Sequence, residues 1–407
     1  MQEYQWLFID FDSYFASVEQ HLNPLFRGKP LAVVPVMAET TSCIAASYEA
    51  KAYGVKTGMR VAEARRLCPE IAFVEATHRV YVQYHELFHR AIEDLIPVTQ
   101  TLSIDEVACK LSQGYQDAWH VENLMTSLHR HLAEKVSPWI TCSIGAGPNK
   151  FLAKLASKYD KPNGSYMVNR SGRLGFLRDH KLSDLHGIGR NMEARLRKSG
   201  IYTVAQLCQC SEETLRKVWG SVHGAWMWNG LQGNAISEAR THVSSIGHSN
   251  MLAPDLRRPS KAYQVIQRLL QKAILRLRDK GYVASRVQVS MRYMNGARWG
   301  QEARFDETNQ SHIFRYVLRE LWGLRPHPQE ELRKVSVNFS RLRKQDNYTL
   351  HLFSQRDDKR EVVDQAVDEI VRKYGKSAAY YGSAHGGHKA VQMRIAFTHI
   401  PDLDLEE

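Results

Sequence analysis

The chain has 407 residues, 43% of them hydrophobic, and 55 Lys and Arg against 43 Asp and Glu, for a formal net charge of +12. That length suggests two to four domains with enough apolar material for real cores. No apolar run reaches about 18 residues, and MQEYQWLFID lacks the basic-then-apolar pattern of a secretory leader, so a soluble, cytoplasmic protein without membrane contact is expected.

The charge is unevenly placed. Residues 1–166 carry 16 Lys and Arg against 18 Asp and Glu, whereas residues 241–350 carry 20 against 9. A neutral-to-acidic half followed by a basic block suits a polyanion held beside a metal centre. Cys43, Cys68, Cys109, Cys142, Cys208 and Cys210 lack paired CxxC spacing and read as reduced thiols.

In chain order, residues 4–10 read as a short buried strand and Tyr14–His21 as a helix. Leu31–Val36 reads as a strand, Ala45–Tyr53 and Ala62–Leu67 as short helices, and Ile71–Val74 as a strand. Helical spacing over Val80–Ile96 and Val121–Val136 flanks Thr99–Leu111; a strand at Ile140–Gly145 and a helix at Lys150–Lys158 follow. Strands mixed with helices in this way make an α/β unit. Lys161-Pro162-Asn163-Gly164 closes it as a turn.

Leu185-His186-Gly187-Ile188-Gly189, followed by Arg195, Arg197 and Lys198, has helix-hairpin-helix character. Gly187 and Gly189 let the backbone approach a phosphate, and Arg195 and Lys198 add charge for a DNA backbone. Residues 232–243 read as a linker. Beyond it, a helix at Ala262–Lys280, a strand at Val283–Tyr293, a helix at Ile313–Leu321 and strands at Val335–Leu342 and Tyr348–Phe353 predict a second, Arg-rich α/β domain suited to phosphate contacts. A helix near Val362–Tyr374 and a loop at Gly382–His388 end the reading.

Two acidic signatures carry the chemistry: Phe8-Ile9-Asp10-Phe11-Asp12-Ser13-Tyr14-Phe15 and Ser103-Ile104-Asp105-Glu106. Carboxylates converging from separate strands can hold two divalent cations about 3.5–4 Å apart for a phosphoryl or nucleotidyl transfer. Mg²⁺ fits this role because it keeps room for substrate phosphates. Neighbours such as Asp105 and Glu106 point to opposite faces of a straight strand, so a turn or strand end is required there.

FIDFDSYFASVEQ (8–20), GKPLAVV (28–34), SYEAKAYGVKTGM (47–59), SIDE (103–106), SIGAGPNKFLAKLASKYDKPNG (143–164) and LHGIG occur in one order. To about residue 355 the chain thereby resembles the Y-family translesion DNA polymerases, most nearly their bacterial polymerase IV branch. The resemblance implies an α/β multidomain right hand. Its parts would be a palm at 1–18 and 77–166, small fingers at 19–76, a helix-hairpin-helix thumb at 167–240, and an α/β little finger at 241–355, with 356–407 as a C-terminal extension. It implies a low-fidelity, template-directed DNA polymerase that adds deoxynucleotides to a primer 3′-hydroxyl, as a nucleoid-associated monomer.

By the same resemblance Asp10, Asp105 and Glu106 would hold two Mg²⁺ ions, joined by the backbone carbonyl of Phe11. Phe15 would be the steric gate against ribonucleotides, with Tyr14, Tyr48, Lys51 and Lys161 also contacting the incoming deoxynucleoside triphosphate. The middle position of that last group is usually Arg, and Lys51 supplies a point charge without a bidentate fork. Small residues such as Ala45, Ala46 and Gly58 near the nascent pair suggest an open site with little shape discrimination. Val107–Leu111 departs from an aromatic and an acidic residue common in relatives. A sliding-clamp peptide has only a faint candidate, at residues 401–405. Two other classes compete with this reading: a non-catalytic polymerase-like DNA-binding scaffold, which the intact acidic residues oppose, and a nucleotide cyclase, which the hairpin and the Arg-rich domain oppose.

Overall fold

The computed structural model describes residues 3–236, 243–345, 358–375 and 378–387, together with residues 395, 400 and 401. Two compact units divide near residue 239.

In the first unit the apolar run WLFIDF forms β1 (Trp6–Phe11), and α1 (Tyr14–Leu22) follows directly. Next come β2 (Leu31–Val34), β3 (Ala45–Ala46), α2 (Tyr48–Ala52), α3 (Val61–Leu67), β4 (Ala72–Glu75) and α4 (His78–Glu93). They are followed by β5 (Gln100–Thr101), β6 (Glu106–Lys110), α5 (Ala118–Lys135), β7 (Cys142–Gly147), α6 (Lys150–Ala156) and β8 (Ser165–Met167). The main sheet has the order β5-β6-β1-β7-β8, which puts β1 at its centre, and a separate three-stranded sheet has the order β3-β2-β4. The expected helix over Ala45–Tyr53 is therefore only partly helical. Ala45 and Ala46 pair with Val33 and Ala32, because two small apolar residues beside a buried strand gain more from ladder bonds than from a first helical turn.

Backbone contact sets how closely α6 lies on the main sheet. A Cβ at Gly145 would stand 2.1 Å from the Ala153 carbonyl oxygen, so only glycine lets α6 rest on β7 there. Asn149 caps α6 by accepting from the Leu152 N–H at 2.9 Å. The remaining helices, α7 (Arg173–Arg178), α8 (Arg190–Lys198), α9 (Val204–Gln209), α10 (Glu212–Trp219) and α11 (His223–Gln232), close over Leu185, Ile188, Leu196, Leu207, Leu215 and Leu231.

The second unit comprises β9 (Ser245–Met251), α12 (Pro259–Asp279), β10 (Tyr282–Tyr293), β11 (Arg298–Thr308), α13 (Ser311–Gly323), β12 (Leu332–Lys344) and α14 (Asp358–Tyr374). Its antiparallel sheet has the order β11-β10-β12-β9. Val287, Val289, Met291, Val335, Val337 and Phe339 form one core with Val265, Leu269 and Phe314 of the helices. The edge strands β9 and β11 escape a sequence reading because β9 has polar residues on both faces, and Gln301 and Glu307 break the alternation of Trp299, Ala303 and Phe305 in β11. The C-terminal helix α14 docks through a buried ion pair, in which Arg278 of α12 donates to both carboxylate oxygens of Asp368, from Nε at 2.5 Å and Nη2 at 2.6 Å. The expected strand Tyr348–Phe353 and residues 402–405 of the clamp candidate lie outside the described residues. Among the described residues no helix is long and apolar enough to cross a membrane.

Candidate active site

Register brings the acidic signatures together. Asp10 pairs with Glu106 of β6 on one side and with Ser143 of β7 on the other. Ser103–Asp105 forms the bend that precedes β6, and the Phe11 N–H donates to the Asp105 carbonyl at 2.9 Å. Asp105 and Glu106 thus sit at a strand end, as their adjacency requires. Ser103 Oγ donates to Asp105 Oδ1 at 2.6 Å. His85 of α4 holds the same bend through its Nδ1, 2.8 Å from the Ile104 carbonyl; since a carbonyl only accepts, the proton is on Nδ1.

Two lysines face these carboxylates. Lys161 Nζ donates to Asp10 Oδ1 at 2.5 Å and lies 3.3 Å from Asp12 Oδ1, while Lys154 of α6 donates to Glu106 Oε2 at 2.8 Å. Burial nevertheless pushes the Asp10 carboxyl up to about 6, with Glu106 and Asp105 adding repulsion and Lys161 opposing it. Burial and Glu106 likewise raise Asp105, against the hydroxyl of Ser103. Burial pulls the Lys161 ammonium down, but Asp10 and Asp12 together hold it above the ordinary lysine value. The pair is uneven: one lysine shared by two acids does not repay Asp10 for its desolvation.

Asp12 had no assigned role, yet it is fully buried and is the most heavily bonded carboxylate of the site. Ser143 Oγ reaches both its oxygens, at 2.9 and 3.0 Å, and Thr141 Oγ1 and the Asn163 N–H donate to Oδ2 at 3.1 and 2.8 Å. Tyr48 donates to Oδ1 at 3.3 Å. The Asp-x-Asp spacing, which puts alternate residues of an extended chain on one face, is the signal that could have found it.

Lys51 Nζ donates to Ser13 Oγ at 2.7 Å and lies 4.2 Å from the centroid of the Tyr48 ring. Ser13 has φ 48°, a left-handed conformation uncommon for a side-chain-bearing residue, between β1 and α1. Burial and Lys161 lower the Lys51 ammonium, with Asp12 and Asp10 opposing. Phe15 is half-buried against Tyr81. Tyr14, expected among the substrate contacts, is instead 3% exposed, and its hydroxyl donates to the Tyr81 carbonyl at 2.7 Å. Its side chain is part of the core and acts by seating α1 on α4.

At the hairpin, Gly187 has φ +93° and Gly189 precedes α8. Lys198 is exposed in the last turn of α8. Arg195 Nη1 donates to the Val218 and Trp219 carbonyls at 3.3 and 3.1 Å, so this guanidinium caps α10.

The donor set is all oxygen: three carboxylates and the neighbouring main-chain carbonyl of Phe11. Hard divalent cations such as Mg²⁺ prefer this chemistry. Among the described residues no three acidic, histidine or cysteine side chains stand close enough, as they lie, to enclose an ion. Lys161 and Lys154 hold two of the carboxylates instead; a divalent cation on these oxygens would offset the burial that, above all, raises Asp10.

Residues 9–158 match the impB/mucB/samB family, and residues 243–352 match the C-terminal domain of that family. DNA polymerase IV of Moorella thermoacetica is 36% identical over 294 residues, 70% of this chain and 72% of the relative. DNA polymerase IV 2 of Mesorhizobium japonicum is 30% identical over 403 residues, 93% of each chain. Among solved structures, a Y-family DNA polymerase chimera of Dbh and Dpo4 superposes with a TM-score of 0.68 at 24% identity, covering 83% of this chain and 98% of its own. The chain belongs to the impB/mucB/samB family of Y-family translesion polymerases, whose class is DNA-directed DNA polymerase.

Proposed function

We propose that the chain extends a primer on template DNA by two-metal nucleotidyl transfer, with low fidelity and past damaged bases. The observation that carries this reading is the strand register that sets Asp10 against Glu106, with Asp105 one residue before the strand. In this reading residues 1–18 and 77–166 are the palm, 19–76 the fingers, 167–240 the thumb and 241–355 the little finger. The protein works as a cytoplasmic, nucleoid-associated monomer, with a sliding clamp as a candidate partner.

Asp10, Asp105, Glu106 and the Phe11 carbonyl would hold two Mg²⁺ ions. These would supply a lowered pKa for the primer 3′-hydroxyl and charge neutralisation for the triphosphate. The chain's own residues position the reactants. Lys161 and Lys51 bring positive charge to the phosphates, and Tyr48 supports Lys51 with its ring while its hydroxyl donates to Asp12. Phe15, backed by Tyr81, meets the sugar. Gly187, Gly189 and Lys198 engage the DNA backbone. In the second unit, the sheet face opposite the core presents Arg298, Arg292 and Lys334 in one cross-strand row and Arg304 beside Arg286 in another. Between them lie Gly300, Ser290 and Ser336, small enough for a phosphate backbone to come close.

Primer extension on undamaged and abasic templates, with Mg²⁺ and four deoxynucleotides, tests this against Asp105→Ala. Extension and bypass by the wild type alone support it. Absence of extension by both proteins, with tight primer-template binding retained, would replace it with a scaffold role.

A further inference from the structure

We infer that Asp12 is a positioning residue for the incoming triphosphate, acting through Lys161 and the loop that carries it. This rests on the nucleotidyl-transfer reading above. Asp12 is not among the expected metal ligands, and it carries a negative charge with no exposed surface. Such a charge persists only where donors saturate it. Here the donors come from the end of β1's neighbour β7, from the segment before it, from α2 and from the 161–164 loop. The main chain of Asp12 is fixed too: its N–H donates to the Thr141 carbonyl at 2.9 Å, and its carbonyl accepts from Ser17 Oγ at 2.6 Å.

A pin of the fold would need only the strand-side donors Ser143 and Thr141. Asp12 also takes the Asn163 N–H at 2.8 Å, the Tyr48 hydroxyl at 3.3 Å and the Lys161 ammonium at 3.3 Å. Two of these three are side chains read as triphosphate contacts, and the third is the backbone two residues beyond Lys161. Asp12 therefore sets where Lys161 stands and divides its charge between two carboxylates. Without it Lys161 would pair with Asp10 alone, and the 161–164 loop would lose its anchor.

An Asp12→Asn substitution keeps the volume but replaces an acceptor by an amide that can set its N–H against that of Asn163. Binding of the complementary deoxynucleoside triphosphate is measured on a dideoxy-terminated primer-template with Mg²⁺. D12N is expected to raise that dissociation constant about tenfold or more and to leave primer-template affinity unchanged. In a double-mutant cycle with Lys161→Gln, the effect of D12N should largely vanish, because both changes remove the same positioned charge. Additive effects, a change below about twofold, or an equal loss of primer-template affinity would overturn the inference. If D12N does not fold, Ser143→Ala and Thr141→Val each remove a donor to Asp12 and keep the carboxylate. Their nucleotide-binding losses must then couple to K161Q in the same way, and additivity there overturns it equally.

Discussion

The ring of Phe15 lies stacked on that of Tyr81, with centroids 4.5 Å apart and planes 20° from parallel. The Tyr81 hydroxyl donates to Glu19 Oε1 at 2.6 Å, one helical turn beyond Phe15 on α1. Phe15 is thus backed by a ring that is itself tethered to the helix of Phe15, and it cannot easily retreat from a bulky sugar. Phe15→Ala should preserve deoxynucleotide addition and raise ribonucleotide incorporation by about 100-fold. Tyr81→Leu should raise it by a smaller factor. Steady-state incorporation of matched ribo- and deoxynucleotides measures both, and unchanged sugar selection in Phe15→Ala removes the gate assignment.

The strand-paired carboxylates make a second expectation. Asp105→Ala and Glu106→Ala should each reduce primer extension by about a thousandfold or more while retaining primer-template binding. Chelation of divalent ions should do the same to the wild type. Extension by either variant within about tenfold of the wild type would detach these residues from the chemistry.

The pH dependence of the metal-free protein follows from Asp10. Its carboxyl is pushed up to about 6 by burial, so the folded state holds the proton more tightly than the unfolded chain does. Stability linked to Asp10 is therefore full below the ordinary aspartate value and is lost as pH rises through about 6. The loss amounts to up to about 3 kcal/mol. Added Mg²⁺ should restore it above pH 6 and have little effect near pH 4, because proton and cation compete for one group. Thermal midpoints across pH, with and without Mg²⁺, check this; a midpoint that rises with pH in the metal-free protein contradicts it.

Arg278 and Asp368 give a prediction for the second unit. Asp368 is 4% exposed, and Arg278 also donates to Ser311 Oγ and to the Asn309 carbonyl, each at 3.0 Å. Asp368→Ala removes the two-point partner of a largely buried guanidinium and leaves it only the carboxylate of Asp364, 3.4 Å from Nη1, so it should destabilise this unit by about 2 kcal/mol or more. Denaturant unfolding gives the number, and limited proteolysis near α14 gives its location. A loss below about 1 kcal/mol would mean that α14 is held by its apolar contacts.

The open sheet face predicts a salt effect. Arg292→Ala and Lys334→Ala should each weaken primer-template binding and lower the slope of log affinity against log salt by about 1. The loss should not depend on DNA sequence, since phosphates carry none. Unaltered slopes would put the DNA elsewhere.

Sequence by itself determined the chemistry on offer. The convergence of Asp10, Asp105 and Glu106 was legible because Asp10 ends an apolar run and the Asp105-Glu106 pair interrupts one. The strand-end placement of the last two followed from period two. The basic block was legible by counting, and β10, β12, α12 and α13 by their apolar periodicity. The strands β9 and β11 were not: polar residues on both faces of β9 leave no period, and Gln301 and Glu307 break the alternation of Trp299, Ala303 and Phe305 in β11. That the Tyr14 side chain is core was not legible either: its neighbour Phe15 points elsewhere on the same helix, and only packing against α4 decides which ring is buried. The spacing from Asp10 could have flagged Asp12, but only tertiary structure gave it its donors. Its donors Ser143, Asn163 and Tyr48 lie 131, 151 and 36 residues away. Hydrogen bonds act over about 3 Å, so partners this distant along the chain exist for one another only after the sheet has closed.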